Sequence, residues 1–158
     1  MVTPHDLALI GSALLAGLCG FVVGWEREAH GHRAGTRTFA LVTLGAAVLT
    51  ALAVTSLAGA GADRVIAGIV QGIGFIGAGL ILHAQTGSVK GLTTAAAVWT
   101  VTSIGIVIGA GHYIAGIALT LVILLLLWWP YVPLLARLQP RTTREEYAAK
   151  STDSPPTT

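Results

Sequence analysis

Five long apolar runs without charged residues divide the chain, separated by polar or glycine-rich segments. They cover residues 7–25, 39–58, 65–82, 94–109 and 113–129, and none contains Asp, Glu, Lys or Arg. A helix needs roughly 20 apolar residues to cross a hydrocarbon core of about 30 Å, and within lipid such a continuous run satisfies its backbone only as a helix. The pattern predicts an all-α protein, a polytopic bundle of five transmembrane helices. The tight connection at 110–112 leaves open a tilted or partly re-entrant hairpin for the last pair.

Composition supports a membrane protein. Hydrophobic residues make up 54% of the chain and charged residues 10%, with a mean hydropathy of +0.77, whereas a soluble domain carries about 25% charged residues. The formal net charge of +2 is too small to indicate nucleic-acid binding. The single cysteine, Cys19, excludes an internal disulfide and any metal site built from several cysteines.

The distribution of Lys and Arg predicts the orientation, because cytoplasmic loops are enriched in both. With five spans, eight basic residues fall on one side of the membrane, and only Arg64 falls on the other. The eight are Arg27, Arg33, Arg37, Lys90, Arg137, Arg141, Arg144 and Lys150. This asymmetry predicts an N-terminus outside and a C-terminus in the cytoplasm. The polar tail, residues 137–158, has too little apolar content to pack and is predicted to be disordered.

Glycines recur at helical spacing in the first and third runs. The segment 72–77 matches a dinucleotide-binding pattern, but that motif needs a preceding strand and a water-accessible turn, which an uncharged membrane run does not offer. Glycines instead allow helices in membranes to approach closely. On the third run three of them share one face within about 40° and two lie roughly opposite, which predicts that this helix occupies the centre of the bundle. The predicted packing residues are Gly20 and Gly24 on the first run and Gly68, Gly72, Gly79, Gly74 and Gly77 on the third.

The densest polar stretch, residues 26–37, follows the first run directly. It has two interpretations: a solvated loop whose arginines set the topology, or a site in which Glu26, at the membrane edge, pairs with Arg37 and joins the first two helices. His30 and His32 are too few ligands for a transition metal. Mg²⁺ prefers oxygen ligands, and the two glutamates of this stretch point to opposite sides if it is extended. No metal site and no cofactor are predicted.

Few polar residues lie within the apolar runs. Gln71 is placed to hydrogen-bond a neighbouring helix, and Thr93 and Thr94 suit an N-cap for the fourth helix. The runs contain no carboxylate, which argues against a proton-coupled pump. No nucleophile and base share a membrane depth, so an enzyme is not predicted.

Four ordered motifs between residues 24 and 99 resemble those of the MgtC/SapB (YhiD-like) family of bacterial inner-membrane proteins. They are GWERE at 24–28, AGTRT at 34–38, GIGFIGAG at 72–79, and GLTTAA at 91–96 with Trp99. Where this chain has Thr36, the family usually has Leu or a similar residue. The candidate functional residues are Glu26, Arg27, Glu28, Arg37, Thr38, Gln71, Thr93, Thr94 and Trp99.

The resemblance implies a role in growth at low magnesium and, in pathogens, in survival inside host cells. Members of the family look like regulators that act through other membrane complexes, including the ATP synthase. Many also carry a soluble C-terminal domain, so the short polar tail is similar to that of the shorter, SapB-like members. The expected partners are the lipid bilayer, another membrane complex such as the ATP synthase or a cation transporter, and further copies of the chain.

Two functions stay open at this point. One is a membrane-embedded interaction or regulatory protein. The other is a small oligomeric transporter or channel for magnesium or another cation, in which Gln71 and the Thr-rich beginning of the fourth helix line a path and Glu26 stands at its inner mouth.

Overall fold

The computed structural model describes residues 3–57, 60–82 and 91–128. Within these residues the chain forms five helices, which confirms the predicted all-α class. Four of them are long and apolar enough to cross a membrane, whereas α5 is shorter, with 16 residues. The chain is therefore a membrane protein, as its composition predicts. The helices are α1 (Pro4–Ala29), α2 (Thr36–Ser56), α3 (Ala60–Leu82), α4 (Leu92–Gly109) and α5 (Tyr113–Trp128).

The described residues up to Leu124 form one compact unit, and Leu125 to Trp128, at the end of α5, belong to a second. The predicted tail, residues 137–158, lies outside the described residues, and so does Lys90.

Helix α1 is longer than the apolar run that predicts it, because polar residues cap it. Thr3 is the N-cap and Pro4 the first helical residue. The backbone N–H of Asp6 donates to Thr3 Oγ1 (3.2 Å), and the N–H of Thr3 donates to Asp6 Oδ2 (2.8 Å), which completes a capping box. At the other end α1 continues beyond the predicted boundary at 25 to Ala29, with His30 as its C-cap. Glu26, Arg27 and Glu28 are therefore helical.

Helices α1 and α2 form a hairpin whose backbones touch. A Cβ added at Gly20 would lie 2.5 Å from the carbonyl O of Phe39, and one added at Gly24 would lie 2.6 Å from the Cα of Thr36. Both distances are shorter than van der Waals contact, so no larger residue fits at either position without moving the backbone of α2. The structure thus places both glycines predicted on the first helix directly against α2.

Helices α2 and α4 occupy the centre of the helices that pack together, because each contacts the other and both contact α1 and α3. Helix α4 is the most buried of the four long helices, and Val98, Val101, Ile104 and Ile108 are fully buried along it. Its close approach to α2 depends on Gly109, since a Cβ there would lie 2.9 Å from the Cβ of Thr50. Gly105 has the same role, against Ala46 of α2, at a position one helical turn earlier.

The central position predicted for the third helix is therefore wrong. Among the described residues helix α3 contacts α4 and, less extensively, α2. On the side of α4 Ile73 is buried, and a Cβ at Gly77 would lie 3.9 Å from Ala95 Cβ. At the other four predicted packing glycines an added Cβ would meet no atom within 4 Å: Gly68, Gly72, Gly74 and Gly79. Glycine spacing identifies a face that can be approached, but it does not say which neighbour approaches it.

Hydroxyl groups inside the helices are mostly satisfied by their own helix. The hydroxyls of Thr43, Thr102 and Thr120 are buried, and each donates to the carbonyl four residues earlier, at 2.9–3.0 Å. Thr50 differs, because its buried Oγ1 has no hydrogen-bond partner among the described residues.

Candidate functional site

Two adjacent charged residues are buried at the end of α1. Glu26 is 9% exposed and Arg27 is 3% exposed. Arg27 Nη2 donates a hydrogen bond to Thr94 Oγ1 at 3.3 Å, and Thr94 is itself buried in the first turn of α4. The guanidinium therefore connects the end of α1 to the beginning of α4. A buried charge needs polar partners to compensate for its lost hydration, and Thr94 is one such partner of Arg27.

Glu26 lies beside His30 rather than Arg37. His30 Nδ1 is 3.1 Å from Glu26 Oε1 and 2.8 Å from the backbone carbonyl O of Glu26. A ring nitrogen has one hydrogen to donate, and the shorter distance assigns it to the carbonyl. The carboxylate oxygens of Glu26 accept no hydrogen bond among the described residues. Glu26 is thus a buried carboxyl group that lies beside His30.

Glu28 performs the joining role that was predicted for Glu26. Glu28 Oε2 accepts hydrogen bonds from the backbone N–H of Thr36 (2.9 Å) and from its hydroxyl (2.5 Å). Gly35, the N-cap of α2, has no side chain to cap the helix, so Glu28 satisfies a free N–H in its place. Arg37 is exposed and its charge acts on Glu28. The predicted pairing of Glu26 with Arg37 is wrong. Arg37 acts on Glu28, and Glu26 lies about 200° away from Glu28 around α1, beside His30.

The histidines of the connecting segment do not complete a metal site. Burial lowers the pKa of His32 below its usual value of 6.5, the charges of Arg27 and His30 lower it further, and Glu26 opposes them. His32 is therefore neutral at pH 7. Among residues 3–57, 60–82 and 91–128, no group of three or more His, Cys, Asp or Glu side chains is placed to hold a metal ion.

The beginning of α4 differs from its prediction. Its N-cap is Gly91, with φ of +94°, rather than Thr93 or Thr94, and no side chain caps the helix there. A Cβ at Gly91 would lie 2.7 Å from the carbonyl O of Leu80, so both the left-handed backbone and the close approach of α3 require glycine. The hydroxyl of Thr94 is directed to Arg27 instead.

The remaining candidates do not join this cluster. Thr93 and Trp99 are exposed on α4, Thr38 is half-buried in the first turn of α2, and Gln71 is exposed on α3. Gln71 lies at the midpoint of the apolar segment 61–81.

Sequence reasoning missed two features. Gly105 and Gly109 are four residues apart, which is the spacing of a close helix contact, so the signal for α4 packing was available. The capping contact between Glu28 and Thr36 depends on the shape of the segment between the helices, and no local pattern indicates it.

A cleft of about 860 Å³ opens between the end of α1 and the beginning of α2, and we refer to it as the α1–α2 cleft. Its walls combine aromatic, cationic and hydroxyl side chains. They comprise Phe21, Trp25, Glu28, Ala29, His32, Arg33, Gly35, Thr36, Arg37 and Thr38. A smaller cleft of about 490 Å³ lies at the other end of these helices, near Asp6, Ser12 and Tyr113.

Comparison with known proteins identifies the family of this chain. The sequence model of the MgtC family matches residues 13–131, which include the buried pair on α1 and all of α4. The chain belongs to the MgtC family. The resemblance predicted from the four motifs is thereby confirmed. No solved structure matches the chain significantly.

Curated relatives match most of the chain. Protein MgtC of Salmonella typhimurium (strain LT2) is 39% identical over 124 residues, 78% of this chain and 51% of the relative. The putative magnesium transporter YhiD of Escherichia coli (strain K12) is 41% identical over 127 residues, 75% and 58% of the two chains. Protein SrpB of Synechococcus elongatus is 39% identical over 134 residues, 77% and 74%. The chain spans about half the length of the MgtC and YhiD relatives.

Proposed function

We propose that this protein is a regulatory, membrane-embedded interaction protein of the bacterial inner membrane that acts on another membrane complex when magnesium is limiting. The link to magnesium is supported by membership of the MgtC family and by a relative named as a putative magnesium transporter. The proposal includes no enzymatic step and no cofactor. We expect the protein to contribute to virulence only if its source organism infects a host.

The observation that carries the proposal is the outer face of α3, formed by Gly68, Gln71, Gly72 and Phe75. These residues fall within about 100° on the helix, opposite the face that packs on α4. Phe75 is 86% exposed, and a Cβ added at either glycine would meet nothing within 4 Å. The face is thus smooth where a neighbouring helix can approach, with one large apolar side chain beside it.

Gln71 makes this face favourable for contact with a partner helix. The amide is exposed at the midpoint of a helix that is apolar enough to cross a membrane. A polar group without a hydrogen-bond partner in hydrocarbon costs several kcal/mol, and a partner helix that presents a donor or an acceptor removes that cost. A helix of the ATP synthase or of a cation transporter is the expected partner, and a second copy of the chain is the competing occupant.

The proposed topology has five spans, with the N-terminus outside and the C-terminus inside. Helix α5 is about 24 Å long at 1.5 Å per residue, so it crosses with local thinning of the bilayer or with flanking residues at the interface. Five spans keep eight of the nine basic residues on the cytoplasmic side. Glu26, Arg27 and the α1–α2 cleft then lie at the cytoplasmic surface.

A pull-down experiment tests the interaction. The tagged protein is extracted from native membranes in mild detergent, and we expect wild type to recover a stoichiometric membrane protein. Gly72→Leu should reduce recovery about tenfold, because a bulky side chain holds the partner backbone away. Gly11→Leu is the matched control, since Gly11 is an exposed glycine of α1 whose added Cβ also meets nothing within 4 Å. Equal recovery with both variants would contradict the proposal.

A growth test separates the magnesium link from the interaction. A strain without the gene should grow poorly in low magnesium, and wild type but not Gly72→Leu should restore growth. Normal growth without the gene would remove the magnesium link while leaving the pull-down result intact.

One observation favours the transporter as a second candidate. The Glu26 carboxylate is buried at the end of α1 and accepts no hydrogen bond among the described residues, so it is available to bind a cation in passage. Purified protein in liposomes should then carry a cation flux that Glu26→Ala abolishes and Glu28→Ala retains. A flux equal to that of empty vesicles would contradict this candidate.

A further inference from the structure

The outer face of α3 carries a positive charge near one end. Helix α3 contains two charged residues, Asp63 and Arg64, and both are exposed. At 100° per residue Arg64 falls inside the range of about 100° that the outer face covers, within about 40° of Gly68. Ile73, which is buried on the side of α4, lies roughly 180° away from Arg64. The guanidinium therefore lies on the same surface as the unoccupied glycines.

The charge of Arg64 is not compensated within the described residues, where its side chain forms no ion pair. The residues three and four positions away, which are its neighbours on the helix surface, are alanines and glycines. Asp63 is adjacent in sequence but lies about 100° away around the helix. Asp63 belongs to the first turn of α3, where a carboxylate is stabilised by the helix N-terminus. Arg64 has no such local role.

Under the proposed topology Arg64 lies at the extracytoplasmic edge of the membrane. It is in the first turn of the apolar segment 61–81, and Gln71 is about 10 Å further in, at 1.5 Å per residue. A basic residue near the end of a span pairs with an acidic group or extends to the interface. Lipid phosphates would be reached from any side of α3, whereas a partner helix is met only on the outer face. The position of Arg64 on that face favours the partner helix.

We propose that the partner on the outer face of α3 is a helix of another protein that carries Asp or Glu at its extracytoplasmic end, paired with Arg64. This inference rests on the proposed function and names the chemistry of its partner. A second copy of the chain is disfavoured, because a two-fold contact of this face with itself sets Arg64 of one copy beside Arg64 of the other. The paired charges fix the depth at which the partner helix meets Gly68 and Gly72.

Photo-crosslinking in native membranes tests the proposal. A photoreactive phenylalanine replaces Phe75 in the full chain, and mass spectrometry identifies the residue that it modifies. Position 75 lies about 17 Å further into the membrane than Arg64, at 1.5 Å per residue. We expect the modified helix to belong to another protein and to carry Asp or Glu about 17 Å nearer its extracytoplasmic end. A helix without a carboxylate there, or crosslinks only to a second copy of the chain, would overturn the proposal.

Two neutral variants at the same depth locate the pairing. Arg64→Gln should lower the crosslink yield about tenfold, since a hydrogen bond to a charged group contributes about a tenfold change in binding. Asp63→Gln is the matched control, because it also removes one charge but at a position about 100° away, and it should crosslink as wild type does. Arg64→Lys keeps the charge and should retain part of the yield. Equal yields in Arg64→Gln and Asp63→Gln would identify a contact of Arg64 with lipid only and overturn the proposal.

Charge exchange tests the pairing itself. Arg64→Glu should abolish the crosslink, because it sets two carboxylates against each other. Replacing the carboxylate of the partner helix by Arg should restore the crosslink to Arg64→Glu, since opposite charges again face each other. A crosslink that stays absent in this combination would overturn the pairing.

The Gly72→Leu variant separates this inference from the proposed function. If Gly72→Leu removes the crosslink and Arg64→Gln does not, the outer face remains an interface and only the pairing with Arg64 is overturned. If position 75 of wild type crosslinks no protein, the interface is overturned and the pairing with it. The melting temperature of Arg64→Gln in detergent should equal that of wild type, because Arg64 is exposed. A lower melting temperature would give Arg64 a role within its own chain and overturn the proposal.

Discussion

Helices α1 and α3 carry similar glycines with opposite consequences. On α1, Gly20 and Gly24 face the backbone of α2 so closely that an added methyl group has no room. On α3, Gly68 and Gly72 have the same four-residue spacing, yet an added methyl group meets nothing within 4 Å. The α1 glycines belong to the packed interior of the protein, whereas the α3 glycines form a surface.

The difference lies in the neighbouring helix rather than in the glycines. A short connection brings α2 back along α1, and α4 fills the space beside both. Helix α3 uses only the side with Ile73 and Gly77 to reach α4. In a membrane an unused smooth face with a polar amide is where another helix is expected.

The largest expected effect comes from adding one methyl group to each helix. Gly24→Ala should destabilise the protein by about 1–3 kcal/mol, as overpacking does, because the Cβ would lie 2.6 Å from the Cα of Thr36. Gly72→Ala should change stability little, or raise it by up to about 1 kcal/mol through helix propensity. Unfolding followed by circular dichroism in detergent measures both, and equal shifts would remove the distinction between the two helices.

The buried contact between α1 and α4 should come next. Thr94→Val removes the hydrogen-bond acceptor of Arg27 Nη2 and should cost about 1–3 kcal/mol, the cost of a buried polar group losing a bond. Thr100→Val is its control on the same helix, because the hydroxyl of Thr100 donates only to the carbonyl O of Ala96 at an exposed position. If the two variants unfold at the same denaturant concentration, the contact with Arg27 does not stabilise the fold.

A smaller effect should follow from losing the cap of α2. Glu28→Ala removes the acceptor for the Thr36 N–H and hydroxyl and should cost about 1 kcal/mol, as for other N-caps. Glu28→Gln keeps an acceptor oxygen and should lose less. Thermal unfolding of the two variants in one detergent checks the order, and a larger loss in the Gln variant would count against the capping role.

The smallest effect should be a dependence on pH. The pKa of His32 lies below 6.5 in the folded protein, so the unfolded chain takes up this proton at a higher pH than the folded one. The contribution of His32 to stability is therefore present above pH 6.5 and lost as the pH falls below it. The melting temperature of wild type should fall more on acidification than that of His32→Gln. Parallel curves would show that this histidine does not contribute.

The sequence predicts where the helices lie along the chain, but it does not predict which helices pack against each other. All five helices follow from uncharged apolar length, and their boundaries differ mainly where polar residues extend them, as Thr3 and Asp6 do for α1. The buried position of Arg27 and the opposite roles of Glu26 and Glu28 depend on where α2 and α4 begin. The central position predicted for α3 is wrong because glycine spacing describes only one of the two surfaces that form a contact.

Photo-crosslinking in native membranes tests most directly whether the outer face of α3 is an interface. A photoreactive amino acid replaces Phe75, on that face, or Ile73, which is buried on the side that packs on α4. We predict that the probe at position 75 forms a crosslink to a second membrane protein, while the probe at position 73 reacts only within its own chain. Crosslinks to lipid alone from position 75, or equal protein crosslinks from both positions, would contradict the account.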